Sequence, residues 1–316
     1  MKLKWEASIT NIVDSGITKF LDKLAIKDEN RIATQKGVEG VTAHIDIPYI
    51  SDCRDGHLLD VYYPEGTSSP LPVIFDIHGG AWVYGDKKIN ENFGKYLASK
   101  GFVFVNVNYT LAPDGDMREM VDDLIYALRW CELNAEKYYI DLDNFFMAGD
   151  SAGGQLALLC TAIMQSEKLQ RIYREEIVPS LSVKGLFLTS PVHDMMMFAH
   201  PNNPVCKEFA VKIFGADYEN SPYIHCSSFK QIADEVTLPP VFLTSAQQDI
   251  FRGQSIKFEA LLKKYGVTYK FIFLKRNSAH KYEHAFNMLY PDWDESKKLN
   301  GLAANFFKNI MSGKIK

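Results

Sequence analysis

The chain has 316 residues, of which 47% are hydrophobic, 13% aromatic and 23% charged, so it can bury one large core. Its formal net charge is −4, and no cluster of lysine and arginine interleaves with aromatic residues, which argues against nucleic acid as a partner. The composition predicts a globular enzyme with a single domain over residues 1–316 rather than a regulatory or nucleic-acid-binding chain.

The first forty residues lean toward helix, and residues 1–40 are one candidate for a cap over the core. The first ten residues contain no continuous apolar segment of the kind that a secretory signal needs, and no stretch is long enough to cross a bilayer. The five cysteines are odd in number and widely spread, which is typical of a reduced, cytoplasmic protein. The apolar stripe of this segment consists of Ile9, Ile12, Val13, Ile17 and Phe20.

Apolar segments bounded by turn residues predict a sheet that continues along the rest of the chain. Residues 120–130 place apolar side chains at helical spacing, and strands that alternate with such helices indicate right-handed parallel crossovers. We therefore predict an α/β fold with a mostly parallel sheet and flanking helices. The long connection 194–238 interrupts the alternation and is the second cap candidate. The predicted strands cover residues 41–49, 58–63, 71–77, 102–109, 144–148, 183–189, 240–245 and 269–274.

The predicted strand 71–77 leads directly into His78-Gly79-Gly80-Ala81-Trp82. Glycines after a buried strand can aim backbone N–H groups at a carbonyl oxygen that gains negative charge during nucleophilic attack. We expect Gly79 and Gly80 to donate to such an oxyanion and His78 to shape the loop. Trp82 is a candidate for the substrate pocket.

A serine lies on a sharp turn between the predicted strand 144–148 and an apolar helix. The turn reads Gly149-Asp150-Ser151-Ala152-Gly153-Gly154, and a G-x-S-x-G turn in this setting exposes a nucleophilic hydroxyl. Glycines on both sides keep Cβ atoms away from the turn. Ser151 is the predicted nucleophile, and the amide of Ala152 is a further predicted oxyanion donor.

At these residues the chain resembles the hormone-sensitive-lipase-like branch of the α/β-hydrolase family, which carries an H-G-G-G-type loop and a G-D-S-A-G-G turn. Residues 109–113 resemble its Y-R-L-A-P segment, and Asp123, Ala127, Leu128 and Trp130 resemble its D-x-x-x-A-L-x-W helix. The chain departs from the pattern at Ala81, where the third glycine would stand, and at residues 115–117, which replace F-P-A. The resemblance implies the α/β-hydrolase fold with a small helical cap, and hydrolysis of small, short-acyl carboxylic esters without a cofactor.

A serine nucleophile needs a histidine base and a carboxylate, and in α/β-hydrolases these follow in the order serine, acid, histidine. Asp249 follows the strand 240–245 and is our choice for the acid, with Asp194 as the alternative. Of the two histidines after the last strand, His284 begins an H-x-F sequence like that of the family and is the predicted base. His280 is then expected to be a solvated loop residue.

Two sequence features allow other interpretations of the site. Residues 280–284 match the H-x-x-E-H pattern of zinc peptidases, but such a site needs both histidines on one helical face and a third ligand further along the chain. The only glutamate after His284 is Glu295, and it lies too close to His284 in the sequence to be such a ligand. We therefore expect no metal. The second cap candidate contains methionine and aromatic side chains with two possible roles: they line an acyl site, or they pack the cap onto the sheet. These residues are Met195, Met196, Met197, Phe198, Phe209, Phe214 and Tyr218.

The sequence thus predicts a serine carboxylesterase with the triad Ser151, Asp249 and His284, acting on a small-molecule ester. The alternatives are an arylformamidase-like amidase, which would use the same triad, and a hydrolase-fold binding protein without turnover. The sequence is compatible with a monomer and with a homo-oligomer.

Overall fold

The computed structural model describes residues 19, 21–198, 204–276 and 280–315 of the chain. The predicted apolar stripe from Ile9 to Phe20 therefore lies outside the described residues. The candidate cap segments 1–40 and 194–238 are each described in part.

An eight-stranded sheet forms the centre of the fold, in the order β1-β2-β4-β3-β5-β6-β7-β8. β2 is antiparallel to both of its neighbours, and the remaining pairs are parallel. The predicted α/β fold with a mostly parallel sheet is confirmed. The strands are β1 (Val41–Pro48), β2 (Leu58–Pro64), β3 (Leu71–Ile77), β4 (Val103–Val107), β5 (Ile140–Asp150), β6 (Val183–Thr189), β7 (Val241–Ala246) and β8 (Tyr269–Leu274).

The strand β5 is longer than its apolar run predicts. Ile140 and Asp141 pair with Leu71 and Pro72 of β3 before a register shift, so backbone pairing extends the strand through residues that show no apolar pattern. At its other end β5 reaches Asp150, next to the predicted nucleophile. The central strands are buried on both faces, which explains why they read as continuous apolar runs.

Helices cover both faces of the sheet. One apolar cluster lies between the sheet and α3, α4 and α9, and a second lies between the opposite face and α2 and α11. Among the described residues, no helix combines the length and the apolar character needed to cross a membrane. The helices are α1 (21–34), α2 (Glu91–Ala98), α3 (Met117–Leu133), α4 (Ser151–Ile163), α5 (Glu167–Tyr173), α6 (Pro204–Phe214), α7 (Pro222–Cys226), α8 (Phe229–Ile232), α9 (Arg252–Lys264), α10 (Phe286–Leu289) and α11 (Asp294–Met311).

The described part of the segment 194–238 contains short helices that pack on the first apolar cluster. Met195, Phe198, Phe214 and Tyr218 are buried there, as the packing interpretation of these side chains expects. Whether this segment and α1 act as a cap stays a prediction of the sequence.

Candidate active site

Ser151 is the first residue of α4 and follows β5 directly. It has a φ of 53°, in the left-handed region that non-glycine residues rarely adopt, and it is buried with 7% exposure. A Cβ atom at Gly153 would lie 1.9 Å from the carbonyl oxygen of Ile77, so only glycine lets α4 begin this close to the end of β3. The carbonyl of Ser151 accepts a hydrogen bond from the amide of Val192. The predicted nucleophile is therefore fixed in a tight, strained turn.

His284 and Asp249 are hydrogen-bonded, with 2.8 Å between Nδ1 of the histidine and Oδ1 of the aspartate. The aspartate lies just beyond β7 and is fully buried. It also accepts hydrogen bonds from the Ser245 hydroxyl at 2.9 Å and from the Phe251 amide at 2.7 Å. Burial alone would raise the pKa of Asp249, but the hydrogen bond and charge of His284, with help from Ser190 and Phe251, hold it below its ordinary value.

The alternative acid, Asp194, lies elsewhere. Its carboxylate accepts a hydrogen bond from the amide of Met196 and caps a short helical turn. The structure therefore brings Asp249, and not Asp194, to the predicted base.

The second ring nitrogen of His284 has no hydrogen-bond partner in the part of the chain that the structure describes. His284 and Ser151 line the same cavity. The ring of Phe251 meets the imidazole edge-on, at 5.1 Å between the ring centres. Since Nδ1 is bonded to Asp249, Nε2 is the nitrogen that can exchange a proton with a group in the cavity.

His280 differs from its expected role as a solvated loop residue. Its ring stacks on Trp293, with 4.1 Å between the ring centres, and its Nε2 lies 3.9 Å from Glu295. Residues 280–283 are not helical, so the H-x-x-E-H match does not place two histidines on one helical face. His284 forms its hydrogen bond with Asp249.

The glycine loop after β3 corrects one sequence prediction. The amide of Gly79 donates to Oδ1 of Asp150 at 3.0 Å, so its single proton is not available to an oxyanion. The loop then turns at Gly80, which has a φ of 126° and whose Cβ atom would lie 1.8 Å from the Tyr84 carbonyl oxygen. Ala81 also has a positive φ, of 53°.

The amides that remain for an oxyanion are therefore those of Gly80, Ala81 and Ala152. Those of Gly80 and Ala81 form no hydrogen bond with another described residue. Ala152 lies in the first turn of α4, where N–H groups have no partner within the helix. Ala81, which departs from the family pattern in the sequence, lines the cavity beside Ser151.

Trp82 does not line this cavity, contrary to our expectation. Its indole is 1% exposed, donates to Oε1 of Gln155 at 3.0 Å and meets the ring of Phe198 edge-on. His78 stacks on Tyr109, and burial lowers the pKa of His78. Both residues therefore support the loop from behind.

The cavity at Ser151 has a volume of about 350 Å³, and one of its walls is formed by α1. None of the described residues of 194–238 lines it. The helix is attached to the site by an ion pair of 3.0 Å between Lys27 and Glu283, next to His284. Arg31 and Gln35 both donate to the Leu289 carbonyl. The α1 residues at the cavity are Leu21, Leu24, Lys27, Asp28 and Arg31.

Comparisons with known proteins place the chain among similar sequences and structures. A family model described as BD-FAE matches residues 59–262. The chain is 28% identical over 233 residues to the kynurenine formamidase of Danio rerio, an alignment covering 72% of this chain and 71% of that protein. It is 27% identical over 224 residues to the versiconal hemiacetal acetate esterase of Dothistroma septosporum, covering 68% of each.

The fold also matches solved esterase structures. Esterase B from Lactobacillus rhamnosis superposes with a TM-score of 0.90 at 27% identity, covering 97% of this chain and 98% of that one. A structure of the same esterase inhibited by a tributyrin phosphonate gives a TM-score of 0.89 at 28% identity, covering 96% and 97%. The range matched by the family model includes Ser151 and Asp249 and ends before His284.

Proposed function

Because this chain belongs to the BD-FAE family and is a carboxylic ester hydrolase of the α/β-hydrolase fold, we propose that it cleaves small, short-acyl esters through a serine triad. The observation that carries the proposal is the geometry of His284. Its Nδ1 is bonded to the buried Asp249, its Nε2 has no partner among the described residues, and His284 and Ser151 line the same cavity. This is the arrangement that a general base for a serine requires.

In the proposed reaction, the Ser151 hydroxyl attacks the ester carbonyl while Nε2 of His284 takes its proton. Asp249 holds the histidine tautomer and stabilises the imidazolium that forms. The imidazolium then gives its proton to the leaving alcohol, and an acyl group stays on the serine oxygen. Water, deprotonated by His284, releases the acid and restores Ser151.

Negative charge on the carbonyl oxygen is proposed to be held by the amides of Gly80, Ala81 and Ala152. Removing one such donor typically costs about 3 kcal/mol of transition-state stabilisation. The helix start at Ala152 is buried and the loop at Gly80 and Ala81 is half-buried, so these amides need little rearrangement when the charge forms.

Two findings support short acyl groups. The cavity of about 350 Å³ is small and closed on one side by Leu21 and Leu24 of α1. The similar proteins include a versiconal hemiacetal acetate esterase and an esterase inhibited by a tributyrin phosphonate, and both names refer to short acyl chains.

The test is hydrolysis of p-nitrophenyl acetate, butyrate and octanoate by the wild type, Ser151→Ala and Ser255→Ala, each with EDTA present. Ser255 is a buried serine of α9 whose hydroxyl has no partner among the described residues, so it is a matched control. We expect activity on the acetate and butyrate in the wild type and in Ser255→Ala, and none in Ser151→Ala. Activity that survives in Ser151→Ala, or that EDTA abolishes in the wild type, would refute the serine mechanism.

The amidase alternative is kept because of one specific finding, the 28% identity to a kynurenine formamidase. The same triad could attack a formyl amide, since the acylation chemistry is shared and only the leaving group differs. Turnover of an N-formyl anilide relative to an aryl acetate separates the two functions. A higher kcat/KM for the anilide would favour the amidase, and no turnover of either compound would favour the binding-protein alternative.

A further inference from the structure

The Asp150 side chain joins the nucleophile turn to the oxyanion loop. It is 4% exposed, it immediately precedes Ser151, and its Oδ1 accepts the Gly79 amide at 3.0 Å. A Cβ atom at Gly79 would lie 2.3 Å from Asp150 Oδ2, so the close approach of carboxylate and backbone depends on glycine. None of the proposed catalytic steps uses this carboxylate.

The Asp150 carboxylate is in turn hydrogen-bonded by Asn90, a fully buried residue at the start of α2. The Asn90 side-chain amide donates to Asp150 Oδ1 at 3.2 Å and to Asp76 Oδ2 at 2.9 Å. Asp76 belongs to β3 and is fully buried two residues before His78. Three buried polar side chains from three elements thus meet beneath the loop.

The charges of this cluster are compatible with a buried position. Burial, together with the charge of Asp150, raises the pKa of Asp76 well above its ordinary value, in spite of its hydrogen bond from Asn90. This shift favours the protonated form of Asp76, which costs less to bury beside Asp150 than a second carboxylate would.

We propose that Asp150, Asn90 and Asp76 are positioning residues of the oxyanion hole. The inference rests on the proposed serine mechanism. Asp150 holds the Gly79 amide away from the cavity, and this orients the following amides of Gly80 and Ala81 toward Ser151. Asn90 fixes the carboxylate, and Asp76 fixes Asn90.

Such a role affects the transition state more than the bound substrate. The negative oxygen forms only during attack, so a displaced amide weakens the transition state while ester binding changes little. Small displacements of catalytic groups can cost about 100-fold in rate. The expected signature is a fall in kcat at nearly constant KM.

The test compares Asp150→Leu, which has no acceptor, with Asp150→Asn, which keeps an oxygen for the Gly79 amide. With p-nitrophenyl butyrate we expect kcat to fall at least about tenfold in Asp150→Leu while KM stays within about twofold. Asp150→Asn should recover most of that loss. Equal kcat values in the two variants would overturn the proposal.

Asn300→Ala is the control for loss of a buried amide. Asn300 is fully buried and exchanges hydrogen bonds with Asn287, far along the chain from the oxyanion loop. This variant should lower the melting temperature and keep the wild-type kcat. A comparable fall in kcat here would show that general destabilisation explains the effect, and would overturn the proposal.

Asn90→Ala completes a double-mutant cycle and keeps the proposal testable if Asp150→Leu does not fold. We expect a smaller fall in kcat than in Asp150→Leu and no further fall when the two changes are combined, since both act through one contact. Independent effects, or a wild-type kcat in Asn90→Ala, would count against it. Ser151→Ala is measured in parallel. If Ser151→Ala is inactive and Asp150→Leu keeps a normal kcat, the positioning role alone is refuted. If Ser151→Ala is active, both proposals are refuted.

Discussion

Acid is expected to destabilise this protein through one histidine outside the proposed triad. His193 is 3% exposed, neither ring nitrogen has a hydrogen-bond partner among the described residues, and its ring stacks on Phe258 at 5.4 Å. Burial lowers its pKa from 6.5 to about 4, against the opposing influence of Asp194. The residue also follows Val192, whose amide holds the Ser151 carbonyl.

The size of the effect follows from the difference between the pKa values of the folded and unfolded states. A histidine with a lowered folded-state pKa stabilises the fold fully above about pH 6.5, and this contribution is lost as the pH falls toward about 4. At about 1.4 kcal/mol per pH unit, the total loss is about 3 kcal/mol, and about 2 kcal/mol of it falls between pH 7 and pH 5. His193→Leu removes the proton site and should lack this part of the acid sensitivity.

The assay is urea unfolding followed by circular dichroism at pH 7 and pH 5, for the wild type, His193→Leu and His225→Leu. His225 lies at an exposed position and controls for the loss of an imidazole. Between pH 7 and pH 5, the free energy of unfolding should fall by about 2 kcal/mol less in His193→Leu than in the wild type and in His225→Leu. A parallel fall in all three would refute the assignment of acid sensitivity to His193.

Three further outcomes are expected in the site itself. Asp249→Asn should lower kcat by about 10⁴-fold, because the amide cannot hold the required tautomer of His284, and a loss below tenfold in p-nitrophenyl butyrate hydrolysis would contradict the triad. Gly80→Ala should reduce activity by about 100-fold or more, because the added Cβ atom would meet the Tyr84 carbonyl. Gly215→Ala is the control and should remain active, because a Cβ atom added there has no contact within 4 Å. Lys27→Met removes an exposed ion pair, so the free energy of unfolding should change by less than about 0.5 kcal/mol. Its KM should rise at constant kcat as the α1 wall loosens, and a fall in kcat alone would contradict that reasoning.

The strand positions and the candidate triad could be predicted because their signals are local. Ser151 lies between an apolar strand and an apolar helix, and Asp249 follows a strand, where the carboxyl ends of parallel strands meet. The choice between His280 and His284 needed the family resemblance, since both histidines follow the last strand. The structure pairs His284 with Asp249, although its role in catalysis stays a proposal.

Contacts between distant segments could not be predicted in the same way. The sequence pattern does not reveal that Asp150 occupies the amide of Gly79, because 71 residues separate the partners. Trp82 was expected in the pocket from its neighbours in sequence, but its indole turns toward Gln155 on α4. The helical pattern of residues 1–40 indicated α1 but not which of its side chains reach the site.

The position of α1 separates one wall of the cavity from the elements that carry Ser151, Asp249 and His284. The helix lies before residue 59, where the family match begins, and it contributes a wall without joining the sheet. Its connections are side-chain contacts with the loop around Tyr84, with Glu283 and with the Leu289 carbonyl. Residues of α1 that face the cavity can therefore be exchanged without disturbing strand register, which makes this helix a natural unit to graft in tests of the proposed acyl preference.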